Sequence, residues 1–310
     1  MGNATRVVVT GVGALTPVGN DVTTSWENLK EGRSGIARIT LFDASDLVTQ
    51  IAGEVKGFDP KQHFDVKDAR RLERFVQFAV VAAREAIADA HLEINEQNNE
   101  NIAVVIGSGV GGALSVPEQA KILETRGARR VSPFFIPMIL IDTAPGQVAI
   151  EFGIKGPNMA VVSACATGAN AIGEAAEMIR RGDVDVVICG GTEACLAPLA
   201  VAGFNNMGAI STRNDEPAKA CRPFDATRDG FVLGEGAGIL VMENAEHARA
   251  RGARIYGEII GYGTSADAHH VAAPDAEGEG IGRAMQWRSS APGSRRRRSI
   301  TSTRTAPARG

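Results

Sequence analysis

One cysteine, Cys165, stands where an apolar run gives way to a helical pattern in VVSACATGANAIGEAAEMIRRGDVDVVICGG, residues 161–191. A thiol does chemistry as its thiolate. At a strand-to-helix turn, free backbone N–H groups and the positive end of the helix dipole point toward the sulfur, and both favour the thiolate. The small residues that follow, Ala166, Thr167, Gly168 and Ala169, allow a sharp turn and a close substrate approach. This is the logic of a nucleophile elbow with sulfur in place of oxygen. The alternative is a buried cysteine acting as a small hydrophobe. Ligands gather at the carboxyl ends of strands in open α/β sheets, which weighs toward chemistry, but the residues alone leave both readings open. Cys189 and Cys195, bordering GGTEA, read as core thiols, and Cys221 lies in a loop with no assigned role. There is no C-x-x-C pair, and His63, His91, His247, His269 and His270 have no zinc-ligand spacing. The expectation is a reduced, cytoplasmic protein with no metal and no cofactor.

The turn needs elements to hold it. Arg6–Val12 reads as a buried strand, Thr23–Lys30 as a polar helix, and the stretch to about Asp65 as loop-rich. DARRLERFVQFAVVAAREAIADAH places Leu72, Phe75, Phe78, Ala79 and Ala82 at helical spacing. Asn101–Gly107 predicts a second buried strand, and SPFFIPMILIDTAPGQVAIEFGI a short helix system. A strand at 160–164, a helix at 168–181 and a strand at 184–190 form a right-handed βαβ crossover. Two further strands, 231–242 and 254–263, flank a helix at 244–252. The pattern predicts an α/β fold with a mostly parallel sheet covered by helices. A chain of 310 residues that is 44% hydrophobic suits a large α/β domain or two joined halves. No apolar run reaches membrane-spanning length, the N-terminus carries no signal-peptide pattern, and Arg6 stands where a myristoylation signal needs Ser or Thr.

The net charge of -3 hides a split. Seven of the 33 basic residues, all arginine, lie in 286–310 with no acid, leaving 26 against 36 acidic residues, a net of -10, on the rest. That body is too acidic for a general nucleic-acid binder.

Around Cys165 a family likeness emerges. SACATG, DVVICGGTEA and GFNNMGAISTRNDEPAKACRPFDATRDGFVLGEGAGILVME resemble the β-ketoacyl-acyl-carrier-protein synthases, nearest the type II elongating branch of bacterial fatty-acid synthesis. VVVTGVGALTPVGN, ARRLERFVQFA, IGSGVGG and SPFFIPM resemble it in the same order, so the likeness runs from about Thr5 to Met285. It implies a thiolase-like fold of two pseudo-symmetric α/β halves, the second incomplete: 1–253 as the nucleophile-bearing half, 254–285 as the start of the other, and 286–310 as a separate tail. It implies a homodimer, acyl transfer from a carrier protein to Cys165, and decarboxylative condensation with malonyl-carrier protein. Val110, Phe135 and Phe204 match positions lining the acyl pocket, although each also suits plain core. His270, in SADAHHVAAP, matches a family histidine for which a structural role is expected. An acidic carrier protein calls for a basic patch, with Arg70, Arg71, Arg74, Arg129 and Arg130 as candidates against the plainer reading of a solvated helix face.

The family's N-A-H-G-T-S-T and K-S-x-x-G-H motifs, which supply two histidines and a lysine, and its glycine-rich oxyanion loop do not occur in the sequence. In their place stands QWRSSAPGSRRRRSITSTRTAPARG, aperiodic, Arg-rich and expected to be disordered. Permissible codons for Ser299 through Arg309, read one frame over, spell Asp-Tyr-Ile-Asn-Ala-His-Gly-Thr-Ser-Thr-Gly, so a frame shift near Met285–Gln286 and a condensation-incompetent fragment are expected. The rivals are a type II polyketide ketosynthase, a non-catalytic partner, and a dinucleotide-binding oxidoreductase prompted by TGVGALTPVG and GSGVGG. The first of those glycine motifs lacks the third glycine and the acidic residue of the dinucleotide fingerprint.

Overall fold

The computed structural model of the chain describes residues 5–290. In chain order the elements are β1 (Val7–Leu15), α1 (Val22–Lys30), β2 (Ala37–Arg38), β3 (Ile51–Ala52), α2 (Val66–Ala69), α3 (Arg74–Asp89), β4 (Ile102–Gly107), α4 (Ser115–Arg126) and α5 (Phe135–Ile139). They continue with α6 (Thr143–Phe152), β5 (Asn158–Met159), α7 (Thr167–Arg181), β6 (Val186–Glu193), α8 (Pro198–Asn206), β7 (Gly236–Asn244), α9 (Ala245–Ala250), β8 (Gly257–Glu258) and α10 (Glu279–Ser290). Six strands form one sheet in the order β5-β4-β6-β7-β1-β8, and β2 with β3 makes a separate two-stranded ribbon.

Helices cover both faces of the sheet. Side chains alternate along a strand, so β4 sends Ile102, Val104 and Ile106 into one core and Ala103 and Val105 into the other. The first core is filled by α3 and α6 and the second by α7. Phe75 and Phe78 of α3 are fully buried, each contributing about 1.5–3 kcal/mol from removing its ring from water. The glycines of β1 let α3 lie close: a Cβ on Gly13 would come within 2.0 Å of the Ala82 carbonyl oxygen, and one on Gly11 within 2.1 Å of that of Ala86.

That packing also removes the first of the two glycine motifs from the dinucleotide-binding alternative. Gly11 and Gly13 of TGVGALTPVG lie inside a strand and against a helix, not in a turn that opens a helix.

The sheet is mixed rather than mostly parallel. β4 pairs in parallel with β5 and β6, whereas β6 with β7, β7 with β1 and β1 with β8 are antiparallel. A strand buried on both faces is a continuous apolar run whichever way it points, so the sequence carried no directional signal for β7. The strand expected over 160–164 does not form: the chain pairs with β4 only just before it, at Asn158–Met159 on the sheet edge, and Val162 is exposed. The strand expected from 231 begins at Gly236, and the one expected over 254–263 shrinks to Gly257–Glu258. α10 runs through Gln286 to Ser290 without a break at 285, and residues 291–310 of the Arg-rich tail lie outside the described residues.

Candidate active site

Cys165 lies in a single 3-10 turn, Ala164–Ala166, that leads directly into α7, and the residue is exposed. Ala164 has φ 50, the left-handed region that disfavours a residue with a Cβ, so the backbone is strained at the residue before the thiol. The first turns of α7 hold this geometry. The Ser163 N–H donates to Thr167 Oγ1 at 2.8 Å, and the Asn170 amide donates to Ser163 Oγ at 2.9 Å. No side-chain hydrogen bond caps α7 and no acid lies in its first turn.

The turn sits over the carboxyl ends of β4 and β6. A Cβ on Gly107, the last residue of β4, would fall 2.3 Å from Thr167 Cγ2 and 2.3 Å from the Val161 carbonyl oxygen. A Cβ on Gly191 would approach Gly168 Cα to 3.1 Å. Glycine at these places lets the helix start touch the strand ends, which is where the sequence placed the reactive turn.

The other cysteines separate cleanly. Cys189 is fully buried and burial pushes its thiol far up. Burial also pushes Cys195 up to about 12, with the nearby Glu193 charge adding to it. Both are core thiols; Cys165 and Cys221 are exposed.

Val110 is 49% exposed on the turn after β4. That turn lies against the cysteine turn, since a Cβ on Gly109 would be 3.4 Å from the Ala164 carbonyl oxygen. Its other side meets α5, where a Cβ on Gly112 would be 2.5 Å from Ile139 Cα. Phe135, half-buried, opens α5. Phe204, on α8, packs with Ala113 on the cluster of Cys195, Leu196 and Val201 and meets the Phe231 ring edge-on at 5.4 Å. The elements carrying Val110 and Phe135 therefore touch, while Phe204 joins a core reached through Ala113. His270 accepts the Ala272 and Ala273 N–H groups at 3.1 and 3.0 Å, which stabilises an exposed turn.

Among the basic candidates, Arg70, Arg129 and Arg130 are exposed, and Arg71 is half-buried with its guanidinium 4.4 Å from the Phe134 ring centroid. Arg74 departs from the sequence expectation. It donates to both Glu235 carboxylate oxygens at 2.9 and 2.6 Å and to the Val55 carbonyl at 3.2 Å, and its side chain is only 17% exposed. Arg126, exposed in the last turn of α4, extends the Arg129–Arg130 patch and was missed in the sequence. Its signal was an arginine just before Gly127, the residue that ends the helix.

The comparisons decide the family. Residues 4–248 match the description "Beta-ketoacyl synthase, N-terminal domain". The chain belongs to the β-ketoacyl synthase family. It is 56% identical over 281 residues to 3-oxoacyl-[acyl-carrier-protein] synthase 2 of Staphylococcus aureus (strain COL), covering 91% of this chain and 68% of that protein. It is 52% identical over 282 residues to the like-named protein of Synechocystis sp., covering 91% and 68%. A β-ketoacyl synthase from Burkholderia phymatum superposes with a TM-score of 0.83 at 36% identity, covering 92% of this chain and 70% of that one. A type II polyketide acyl-carrier protein in complex with its ketosynthase bound to the hexaketide gives 0.82 at 30%, covering 93% and 70%. The fold is the thiolase-like α/β fold of these enzymes.

Proposed function

We propose that this ketoacyl synthase is a 3-oxoacyl-[acyl-carrier-protein] synthase, an acyltransferase of fatty-acid chain elongation in the cytoplasm, and that Cys165 is its nucleophile. The observation that carries the role of Cys165 is its exposed thiol at the mouth of α7, over the ends of two parallel strands. The Cys165 thiolate attacks the carbonyl carbon of an acyl thioester on a carrier protein. A new S–C bond forms, and the carrier's thiolate leaves and takes up a proton. On the family pattern malonyl-carrier protein then loses carbon dioxide, its carbanion attacks the Cys165 thioester, and the thiolate is released. The motifs with the two histidines and the lysine that serve this step do not occur in the sequence, so we assign this chain the acyl transfer and not the condensation. Val110, Phe135 and Phe204 bound the acyl chain, and Arg70, Arg71, Arg129 and Arg130 receive an acidic carrier protein.

The reading divides the chain into the nucleophile-bearing half, 1–253, and the start of the second, 254–285. It pairs two copies along the β5 edge, where Met159 and Val162 are exposed.

The test is mass spectrometry of the intact chain after incubation with acyl-carrier protein. One acyl adduct is expected on the Cys165 peptide and none in Cys165→Ala. An unmodified Cys165 peptide, or an adduct that survives in Cys165→Ala, overturns the assignment.

A further inference from the structure

Glu193, the last residue of β6, reaches across to the turn that follows β4. Its carboxylate accepts from Ser108 Oγ at 2.9 Å, from the Gly109 N–H at 2.8 Å and from the Val110 N–H at 3.1 Å. Ser108 is 1% exposed, and its hydroxyl oxygen in turn accepts the Gly111 N–H at 3.0 Å. One carboxylate therefore organises every residue of 108–111. That turn presents Val110 to solvent, and its Gly109 lies against the carbonyl of Ala164, next to the reactive thiol. No other charged side chain bonds to the Gly109 or Val110 N–H among the described residues.

Resting on the reading of Cys165 as the acyl acceptor, we propose that Glu193 is a positioning residue for acyl-chain selection, gripping the 108–111 turn so that Val110 stands at a fixed place beside Cys165. Glu193 touches no reacting atom in this role. It fixes the wall past which the acyl chain must run, and a wall that moves by a fraction of an ångström changes how long chains fit more than how small ones do.

The chemistry of the grip separates the variants. Glutamine retains a carbonyl oxygen for the Gly109 and Val110 N–H groups, which both bond to one oxygen of Glu193, and its amide can donate to the second lone pair of Ser108 Oγ. Alanine leaves both N–H groups without their acceptor, and aspartate is one methylene too short to reach them.

The experiment measures acylation of Cys165 in the full chain by a short and a long acyl thioester, read on the Cys165 peptide, beside alkylation of the same thiol by iodoacetamide. In Glu193→Ala the ratio of long-chain to short-chain loading is expected to change by on the order of tenfold or more, with alkylation within about twofold of the parent. Glu193→Gln is expected to restore the parent ratio. Ser108→Ala removes one contact only and is expected to shift the ratio in the same direction by less, and it decides the matter if Glu193→Ala does not fold. An unchanged ratio in the folded variants, or loading and alkylation that fall together, overturns the proposal and leaves Glu193 a purely structural residue. A parent chain that loads no acyl group at all overturns the function of Cys165 and this proposal with it, and so is distinct from a parent that loads while its variants keep its ratio.

Discussion

The guanidinium of Arg74 lies 2.6 Å from a carboxylate oxygen of Glu235, which is fully buried. The pair joins the start of α3 to the segment before β7, and Arg74 also faces the Phe78 ring with its guanidinium 4.7 Å from the ring centroid. Arg74 is thus part of the interior, although the exposed Arg70 stands only four residues before it. Removing one partner strands a buried charge, and Arg74→Ala is expected to cost about 3–5 kcal/mol in urea unfolding. Replacing both partners with apolar residues of similar size is expected to cost much less. A cost for Arg74→Ala within about 1 kcal/mol of the parent would mean the charge is hydrated rather than paired.

Carrier recognition is expected to reside in the exposed arginines instead. Reversing charge at Arg129 and Arg130 together is expected to raise KM for acyl-carrier protein by on the order of tenfold while leaving the KM for a small acyl-thioester analogue unchanged. The added KM should shrink as salt rises, because exposed charges are screened. An equal effect on both substrates would place the two arginines outside the docking surface.

The two arginine groups show what a sequence displays and what it hides. Helices α3 and α7 were legible because their apolar residues repeat at helical spacing, and the turn that carries Cys165 because small residues separate an apolar run from such a helix. The partner of Arg74 is 161 residues away, and nothing local distinguishes that arginine from Arg70. Glu193 was equally silent, since two of its three partners are backbone N–H groups, which have no residue signature. β1 is a further case. TGVG prompted the dinucleotide-binding rival, whereas its glycines are there to admit α3, a constraint set by a helix about 70 residues on.

Acid should expose another buried carboxylate. Glu243 is fully buried and accepts hydrogen bonds from Arg251, Thr10 and His247. Burial pushes its carboxyl up, but the Arg251 hydrogen bonds and charge, with the bonds from Thr10 and His247, outweigh it and hold the group below its ordinary 4.5. A lowered folded value means the contribution is complete above the unfolded value and is lost as pH falls through the folded one. Urea unfolding followed from pH 7 toward pH 3 should therefore show stability falling below about 4.5, and Glu243→Gln, less stable at pH 7, should lose less over that range. A parent and variant that fall in parallel would assign the acid sensitivity to other carboxylates.

Thiol accessibility tests the site itself. Cys165 and Cys221 are exposed, while Cys189 and Cys195 are buried with thiols that burial holds in the protonated form. Alkylation requires both access and thiolate, so the native chain at pH 8 should modify rapidly at Cys165 and Cys221 and slowly at the other two, with all four equal in urea. The two exposed thiols should then separate by chemistry. Cys165 lies at a helix start, whereas Cys221 lies in the segment between the last residues of a 3-10 turn and Gly236, with no helix following it directly. Their rates are expected to differ on the order of tenfold in favour of Cys165, measured by peptide mass over time. Equal rates would remove the helix start as the source of reactivity, and rapid modification of Cys195 in the native chain would show that the core beneath α8 is open.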